Sequence, residues 1–257
     1  MQSLKGKIVF ITGASSGIGK ACAYKFANEG ANLIINARRK KLIEEISNDL
    51  KNKFGVKVFA YELDVTKRDD VNNSIKCLPE DFKNVDILIN NAGLARGLNK
   101  FYEDNPDGWD EVIDTNVKGL LYTTNAILPK MIERKSGHII NIGSIAGREV
   151  YPKGAVYCAS KHAVDAITRS LRMDIIDKNI LVSTIDAGLV DTNFSRIRFY
   201  GDEQKAMNVY KGLTPLTAED VADAVLYCAS RPPHVNIAEI TLLAARQASA
   251  TVVYREE

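Results

Sequence analysis

Seven short runs rich in β-branched and aliphatic residues recur along the chain, and the stretch between successive runs is long enough to hold a crossover helix. Several runs are almost wholly apolar, as is typical of strands covered on both faces. This alternation predicts an α/β fold built on a doubly wound, parallel, seven-stranded sheet with helices on both faces. The predicted strands span residues 7–12, 32–36, 57–63, 86–90, 138–142, 181–185 and 238–243.

The length of the chain and its lack of linkers predict the domain organisation. A chain of 257 residues, 46% of them hydrophobic, can fill one large core. The sequence contains no Pro/Gly/Ser-rich linker, repeat or low-complexity tract, so we expect one domain spanning residues 1–257. The alternation lapses at about 191–216, where a polar and aromatic insertion is typical of a substrate lid.

Charge and cysteine usage narrow the partners and the compartment. The 34 lysines and arginines nearly balance the 32 acidic residues, so no strong field attracts nucleic acid or an anionic membrane. The N-terminal residues lack an apolar stretch long enough for a signal peptide or a membrane span. No C-x-x-C pair occurs, so we expect a cytoplasmic protein with four reduced thiols buried in helices: Cys22, Cys77, Cys158 and Cys228.

The histidines give no support to a metal site. They lack H-x-x-x-H spacing and a neighbouring cluster of acids, so we predict no metal. The three residues are His138, His162 and His234.

A glycine-rich loop follows the first predicted strand. The stretch TGASSGIG contains Gly13, Gly17 and Gly19 and leads into a helix that we expect to begin near Lys20. Glycines allow a tight turn and let a pyrophosphate approach bare amide groups at a helix N-terminus, where the helix dipole favours an anion. The order strand, loop, helix indicates a dinucleotide site rather than an ordinary turn.

The end of the second predicted strand indicates which dinucleotide is bound. A fold of this kind uses an acidic residue there to bind the ribose 2′-hydroxyl of NAD, whereas arginine accommodates the 2′-phosphate of NADP. Here the sequence reads NARRK, with Arg38 and Arg39 in place of the acid. Two cations at the start of a helix oppose its dipole, and a bound phosphate would explain them. We therefore predict NADP as the cofactor.

Tyr157 and Lys161 stand at positions i and i+4 of a helical pattern that spans 156–175, so both side chains leave one face of the helix. Tyrosine has a pKa of about 10 and is a poor base until a nearby cation favours its phenolate. Lysine and an oxidised nicotinamide ring are such cations. The pair has the outline of an acid/base catalyst.

Together these motifs, in this order, resemble the short-chain dehydrogenase/reductase family over nearly the whole chain, which implies a single-domain Rossmann fold and an oxidoreductase. Ser144 in INIGSIAG matches the family's active-site serine, and Asn116 matches the asparagine that completes a tetrad with Tyr157 and Lys161. One departure is Ala187, where the family usually has proline; this change is expected to loosen a turn. The resemblance implies cofactor contacts from Gly13, Ser15, Ser16, Gly17, Ile18, Gly19, Arg38, Arg39, Asp64, Val65, Asn91, Ala92, Gly93, Tyr157, Lys161, Gly188, Val190 and Thr192.

The resemblance also implies a role for each member of the tetrad. Ser144 would hold the substrate oxygen, and Tyr157 would exchange a proton with it while hydride passes to or from the nicotinamide. Lys161 would bind the ribose hydroxyls and lower the tyrosine pKa. Asn116 would kink its helix and anchor a water that leads to the lysine. A hydrolase is not indicated, because no histidine has a clear claim to be the base that would activate a serine nucleophile.

Several loop segments resemble one subgroup, the NADP-dependent 3-hydroxy acid dehydrogenases, which oxidise serine, allo-threonine and related β-hydroxy acids and reduce malonic semialdehyde. The segments are NNAGLARG, HIINIGSIAG and FSRIRFYGD. Two alternatives stay open: a broad-specificity carbonyl or 3-oxoacyl-thioester reductase, and a non-catalytic NADP-binding sensor. Helices expected at 107–134 and 155–178 resemble those that pair in family tetramers, so we expect a homotetramer, with a dimer as the alternative. No role is assigned to the tail 246–257.

The lapse at 191–216 also predicts how a β-hydroxy acid is held. Because RFYGD resembles a run at the same place in the 3-hydroxy acid subgroup, we expect Arg198, in preference to Arg196, to contact the substrate carboxylate with its two-pronged guanidinium. Phe194, Phe199 and Tyr200 are expected to shield the reacting carbon from water.

Overall fold

The computed structural model describes residues 2–256, and one parallel sheet of seven strands runs through it. Its five inner strands are buried almost throughout, whereas the two edge strands, the third and the seventh along the chain, are partly exposed. Each lies within two residues of a predicted run, because apolar β-branched runs bounded by turns leave little choice of register. The strands are β1 (Ile8–Thr12), β2 (Asn32–Ala37), β3 (Val58–Glu62), β4 (Ile87–Asn90), β5 (Gly137–Ile142), β6 (Ile180–Ala187) and β7 (Glu239–Leu242).

The strand order is β3-β2-β1-β4-β5-β6-β7, and every pairing is parallel. The chain therefore winds outward from β1 in one direction and from β4 in the other. The loops that follow these two central strands diverge and leave a crevice at their C-terminal ends, where ligands of open α/β sheets bind.

Nine α-helices connect or follow these strands. They are α1 (Gly17–Asn28), α2 (Lys40–Phe54), α3 (Arg68–Lys76), α4 (Pro106–Ile113), α5 (Leu120–Arg134), α6 (Ala155–Asp174), α7 (Phe194–Arg198), α8 (Glu203–Asn208) and α9 (Ala218–Ala229) in the part that the structure describes. A π-helical segment, Asp114–Gly119, joins α4 to α5. Within residues 2–256, no helix combines the length and apolar character needed to cross a bilayer.

The core lies in two layers, one on each face of the sheet. Phe26 of α1, Leu50 of α2 and Val225 of α9 pack on one face. Ile75 of α3 and Met131 of α5 pack on the other. Both layers are needed because β1, β4 and β5 present apolar side chains in both directions.

The structure corrects three details of the sequence-based expectations. α1 begins at Gly17 and not near Lys20, because Ser16 is extended and the two glycines Gly17 and Gly19 form the first helical turn. Cys77 is exposed, since it follows the last turn of α3 on the surface, whereas the other three cysteines are buried; all four are free thiols. Ala187 is a regular residue of β6, paired with Leu242, so the expected loosened turn is not present.

Candidate active site

A cleft of about 630 Å³ opens at the C-terminal ends of the central strands. Its walls are loops that follow β1, β2, β3, β4, β5 and β6. It is lined by nearly all of the predicted site residues: Gly13, Ser15, Ser16, Gly17, Ile18, Arg38, Arg39, Asp64, Val65, Asn91, Ala92, Gly93, Ser144, Tyr157, Lys161, Gly188, Val190, Thr192 and Arg198. Gly19 and Asn116 do not line it.

Two glycines of the loop after β1 are needed for their backbone geometry. Gly13 has φ +67°, and a Cβ there would lie 2.9 Å from the Cα of Ala92. Gly17 has φ +53°, and a Cβ there would lie 3.3 Å from Thr192. A side chain at either position would strain the backbone and fill the floor of the cleft. The loop therefore presents bare backbone to a ligand at the N-terminus of α1.

Gly19 has a different role from the one predicted. A Cβ there would lie 2.3 Å from Nδ2 of Asn91 and 2.7 Å from the carbonyl oxygen of Gly13. Asn91 donates from that nitrogen to the carbonyls of Thr12 and Gly13. Gly19 thus allows α1 to pack closely against the ends of β1 and β4, and it faces away from the cleft.

The side chain of Arg39, which follows β2, reaches over to the glycine loop that follows β1. Its Nη2 donates to the hydroxyls of Ser15 at 2.8 Å and Ser16 at 2.7 Å. Both Arg38 and Arg39 are exposed, and neither forms an ion pair within residues 2–256. This end of the cleft carries two positive charges without a protein anion, as a phosphate site requires.

Tyr157 and Lys161 project from α6 into the opposite end of the cleft. The ammonium nitrogen of Lys161 lies 5.9 Å from the centre of the Tyr157 ring and donates to the carbonyl of Ile142 at 2.8 Å. Lys161 is only 8% exposed. Burial lowers the pKa of Lys161 to about 8, and the nearby Asp186 carboxylate opposes this shift.

Ser144 begins the turn after β5 and faces the same phenol. Its hydroxyl accepts from the amide of Ala146 at 3.1 Å and donates to the carbonyl of Ala187 at 3.3 Å. Desolvation raises the pKa of Tyr157, whereas the hydrogen bond with Ser144 and the charge of Arg198 lower it. The tyrosine hydroxyl is therefore a proton donor in this state and needs further positive charge to become a base.

Asn116 lies in the π-helical segment and is buried. Its Oδ1 accepts from the amide of Leu94, and its Nδ2 donates to the carbonyl of Leu94 and the hydroxyl of Ser160. The predicted interruption of the helix is present at this residue. The side chain ties the loop after β4 to α6, one residue before Lys161, instead of facing the cleft.

The segment between β6 and α9 covers the reaction end. Phe194 packs edge-on against Tyr157, with ring centres 5.4 Å apart, and Phe199 also lines the cleft. Tyr200 was expected to do the same, but it is 64% exposed and its ring contacts Arg96 outside. Its positive φ of 53° turns it away from the cleft.

Arg198 lies at the end of α7 and points inward. Its Nε donates to the carbonyl of Gly97 at 2.9 Å, and its Nη2 donates to the hydroxyl of Tyr151 at 3.0 Å. The guanidinium carbon lies 5.7 Å from the centre of the Tyr157 ring. Arg196, the other candidate, is exposed and pairs with Glu203.

The sequence analysis did not name several residues that line the cleft, among them Arg96, Tyr151 and Gln247. Tyr151 lies in a loop without a recognisable motif. Arg96 lies in the NNAGLARG segment but was given no role, and Gln247 lies in the tail to which no role was assigned. Gln247 accepts from the amide of Leu189 at 2.9 Å and fills the space beside Gly188. An uncharged glutamine in a polar tail carries no sequence signal of burial, so only the structure identifies it.

A buried ion pair supports the floor behind Ser144. Asp186 is 3% exposed and accepts from Arg148 through Nε at 3.0 Å and Nη2 at 2.8 Å. Arg148 also contacts Asp165 and Glu239. This network joins the loop after β5 to the end of β6 and places a negative charge near Lys161.

The geometry has the parts of a dinucleotide-dependent oxidoreductase, and a sequence model of the family described as short chain dehydrogenase matches residues 7–200. The chain belongs to this family. No group of three or more histidine, cysteine, aspartate or glutamate side chains is placed to hold a metal ion in the described part of this short-chain dehydrogenase.

Named relatives share the whole length of the chain. An "NADP-dependent 3-hydroxy acid dehydrogenase" of Schizosaccharomyces pombe is 44% identical over 100% of both chains. A "sulfoacetaldehyde reductase" of Chromohalobacter salexigens is 40% identical over 93% of this chain and 94% of its own. Among solved structures, "The Closed form of serine dehydrogenase complexed with NADP+" has a TM-score of 0.91 at 39% identity, covering 97% of this chain and 100% of its own.

Proposed function

We propose that this short-chain dehydrogenase interconverts a β-hydroxy acid and its carbonyl product with NADP. Substrates of this class include L-serine, L-allo-threonine and 3-hydroxypropionate. The observation that carries the proposal is that the ammonium of Lys161 and the guanidinium of Arg198 both lie within 6 Å of the centre of the Tyr157 ring, in the cleft. The names of the relatives support the same substrate class.

The residues of the cleft fit NADP. The glycine loop leaves backbone amides bare at the N-terminus of α1, where a pyrophosphate is stabilised. Arg38 and Arg39 stand at the end of β2, where the 2′-phosphate of the ribose would lie. Asp64 and Val65 line the wall beside them and would contact the adenine. When bound, NADP supplies the hydride acceptor or donor at C4 of its nicotinamide.

The chain's own residues handle the proton. Ser144 holds the substrate oxygen beside the phenol of Tyr157, so that oxygen and proton carrier are in contact. In oxidation the Tyr157 phenolate takes the hydroxyl proton as the C–O bond gains its double-bond character; in reduction the phenol returns it. Lys161 holds positive charge below the ring and binds the ribose hydroxyls.

Arg198 supplies the acid specificity. Its Nε and one Nη2 hydrogen are used by Gly97 and Tyr151, which leaves three of the five N–H donors of the guanidinium for a ligand. The carboxylate of a β-hydroxy acid, which is separated from the reacting carbon by one carbon, would receive them and pair with the charge. Phe194 and Phe199 exclude water from this end, which strengthens the contact.

A substrate panel tests the function. Formation of NADPH is followed with β-hydroxy acids, uncharged secondary alcohols and 3-hydroxyacyl thioesters, each with NADP and with NAD. We expect the highest kcat/KM with a β-hydroxy acid and NADP. A preference for thioesters or plain alcohols would identify the broad carbonyl reductase instead, and binding of NADP without turnover of any compound would identify a sensor.

The role of Arg198 is tested on the same panel. Arg198→Ala is expected to lower kcat/KM for β-hydroxy acids by about ten- to a hundredfold more than for alcohols of the same size, because a charge-assisted hydrogen bond is lost. Arg196→Ala is the matched control, since Arg196 is on the same helix but points to solvent. Equal losses on acids and alcohols would contradict the carboxylate contact.

We also propose a homotetramer in the cytoplasm, with a single domain and a lid at about 191–216. Exposed apolar side chains on α5 and at the end of α6, Leu121 and Met173, support pairing of these helices. Light scattering should give four times the 28.3 kDa of one chain, and cell fractionation tests the location. Limited proteolysis is expected to cut first within 191–216, and NADP with a hydroxy acid should slow that cut.

A further inference from the structure

Two cations flank the ring of Tyr157 at nearly equal distance. The ammonium of Lys161 is 5.9 Å from the ring centre, and the guanidinium of Arg198 is 5.7 Å from it. Lys161 comes from the same helix as the tyrosine, whereas Arg198 comes from α7 in the segment that covers the cleft. The chemistry of the family requires only the first of these cations.

The position of Arg198 is fixed by contacts to both walls. Gly97 and Arg198 exchange two hydrogen bonds: the amide of Gly97 donates to the carbonyl of Arg198, and Nε of Arg198 donates to the carbonyl of Gly97, each at 2.9 Å. Tyr151 holds the far side of the guanidinium through its hydroxyl at 3.0 Å, and its ring centre is 5.5 Å from the guanidinium carbon. The charge is therefore held above Tyr157 before any substrate is bound.

We propose that Arg198 stabilises the phenolate of Tyr157, so that the segment covering the cleft carries part of the charge that activates the base. This inference rests on the proposed function only in naming Tyr157 as the proton carrier. It gives Arg198 a second role, which does not depend on a carboxylate in the substrate and which acts through Tyr157.

The two cations differ in how they respond to pH. Burial lowers the pKa of Lys161 to about 8. Lys161 therefore loses its positive charge in the alkaline range, in which dehydrogenation is favoured. A guanidinium keeps its charge throughout that range. Arg198 therefore continues to stabilise the phenolate of Tyr157 at a pH at which Lys161 has lost its charge. The titratable or charged groups that face the phenol are Lys161 and Cys158 of α6, Tyr151 of the loop after β5, and Arg198 of α7. The neutral hydroxyl of Ser144 also faces it.

The sign of the expected effect follows from these charges. Positive charge near a phenol lowers its pKa, so removal of the guanidinium raises it. Oxidation requires the phenolate, and its kcat/KM increases with pH until the base is ionised. Loss of Arg198 should therefore move this rising part of the pH profile of kcat/KM, its limb, to higher pH by about one pH unit. At a fixed pH on the limb, kcat/KM should fall about tenfold.

The test uses an uncharged secondary alcohol, so that the carboxylate contact has no part in it. The pH dependence of kcat/KM with saturating NADP is compared among the unmodified protein, Arg198→Met, Arg198→Lys and the matched control Arg196→Met. We expect the shifted limb only in Arg198→Met, because lysine restores the charge and Arg196 points to solvent. An unshifted limb in Arg198→Met, or the same shift in Arg196→Met, overturns the inference.

A second measurement needs no turnover and separates the inference from the proposed function. The near-ultraviolet absorbance of the phenolate is titrated in the NADP complex, and the signal of Tyr157 is obtained by subtracting the same protein with Tyr157→Phe. We expect ionisation at higher pH in Arg198→Met than in the unmodified protein. If the two ionise together, the inference fails even where hydroxy acids are oxidised; if they differ and no hydroxy acid is oxidised, only the proposed substrate class fails.

Discussion

The two ends of the cleft hold charge in opposite ways. At the glycine-loop end, Arg38 and Arg39 are exposed and water reaches both guanidinium groups. At the reaction end, Lys161 is buried, and Arg198, which belongs to the segment that follows β6, is half-buried. A charge in water is screened and interacts weakly, whereas a desolvated charge acts strongly on its neighbours.

Because of this difference, the exposed arginines should affect cofactor affinity, whereas the cations at the reaction end should affect the rate of the reaction. Exposed arginines can attract a phosphate and distinguish it from a hydroxyl, but they cannot change the proton chemistry of a group at the other end. The desolvated cations at the reaction end lie within 6 Å of the Tyr157 ring and act on its ionisation. Changes at one end should therefore alter binding constants, and changes at the other should alter turnover.

The sharpest separation is expected from Tyr157→Phe. This change removes the transferable proton and almost no volume, so kcat should fall about a thousandfold or more, while the dissociation constant of NADP changes about twofold at most. Turnover with NADPH formation and binding by fluorescence titration measure the two quantities. Residual turnover above a few per cent of the original would place the proton carrier elsewhere.

The burial of Lys161 should make the free energy of unfolding depend on pH. Burial lowers the pKa of Lys161 from its usual 10.5 to about 8. The unfolded chain therefore holds more protons between these values, and the folded protein gains stability as the pH rises through this range, by up to about 3 kcal/mol.

Lys161→Met tests this sign, because it removes the titrating group. The free energy of unfolding of the unmodified protein, relative to that of the variant, should increase from about pH 8 to about pH 10.5 and stay constant below about pH 8. The lost hydrogen bond to Ile142 adds an offset that does not depend on pH. Arg39→Met, at the exposed end, should leave the corresponding difference flat; a slope there, or none in Lys161→Met, would contradict the comparison.

Cofactor choice should respond at the exposed end. Combining Ala37→Asp with Arg38→Gln offers an acceptor for a ribose hydroxyl and removes one phosphate contact. The ratio of kcat/KM with NADP to that with NAD should fall by about tenfold or more. Lys40→Gln, which removes an exposed cation from the first residue of α2, is the control and should leave the ratio near its original value.

A change in salt concentration should have the smallest of these effects, and it should alter NADP binding but not turnover. Raising the salt concentration from about 0.05 M to about 0.5 M should weaken NADP binding roughly threefold, because the arginines are exposed and screened. The turnover number at saturating cofactor and substrate should stay the same. A comparable salt effect on turnover would mean that solvent reaches the reaction end.

The sheet and most of the site residues could be predicted from the sequence because each has a local signal. The apolar runs fixed the strands to within two residues, and the family motifs marked the loops at their ends. Arg198 was chosen over Arg196 because its segment resembles one in the 3-hydroxy acid subgroup, and it lines the cleft. Its partners Gly97 and Tyr151 lie 101 and 47 residues away, and no local pattern connects such distant positions.

The errors have physical causes of the same kind. Tyr200 was expected inside the cleft on residue type alone, but its left-handed backbone turns the ring outward. Cys77 was expected to be buried among apolar neighbours, but α3 ends there at the surface. In each case a backbone conformation or a distant contact decided the outcome.

The close approach of α1 to Asn91 at Gly19 affects how relatives of this enzyme are recognised. Because this glycine is required for packing, a descendant that had lost the cofactor would still keep it as long as it kept the fold. The presence of Gly19 then indicates common ancestry, and it does not indicate that a protein is an active enzyme. A search for inactive descendants should give it no weight and should rely on Gly13 and Gly17, which line the cleft.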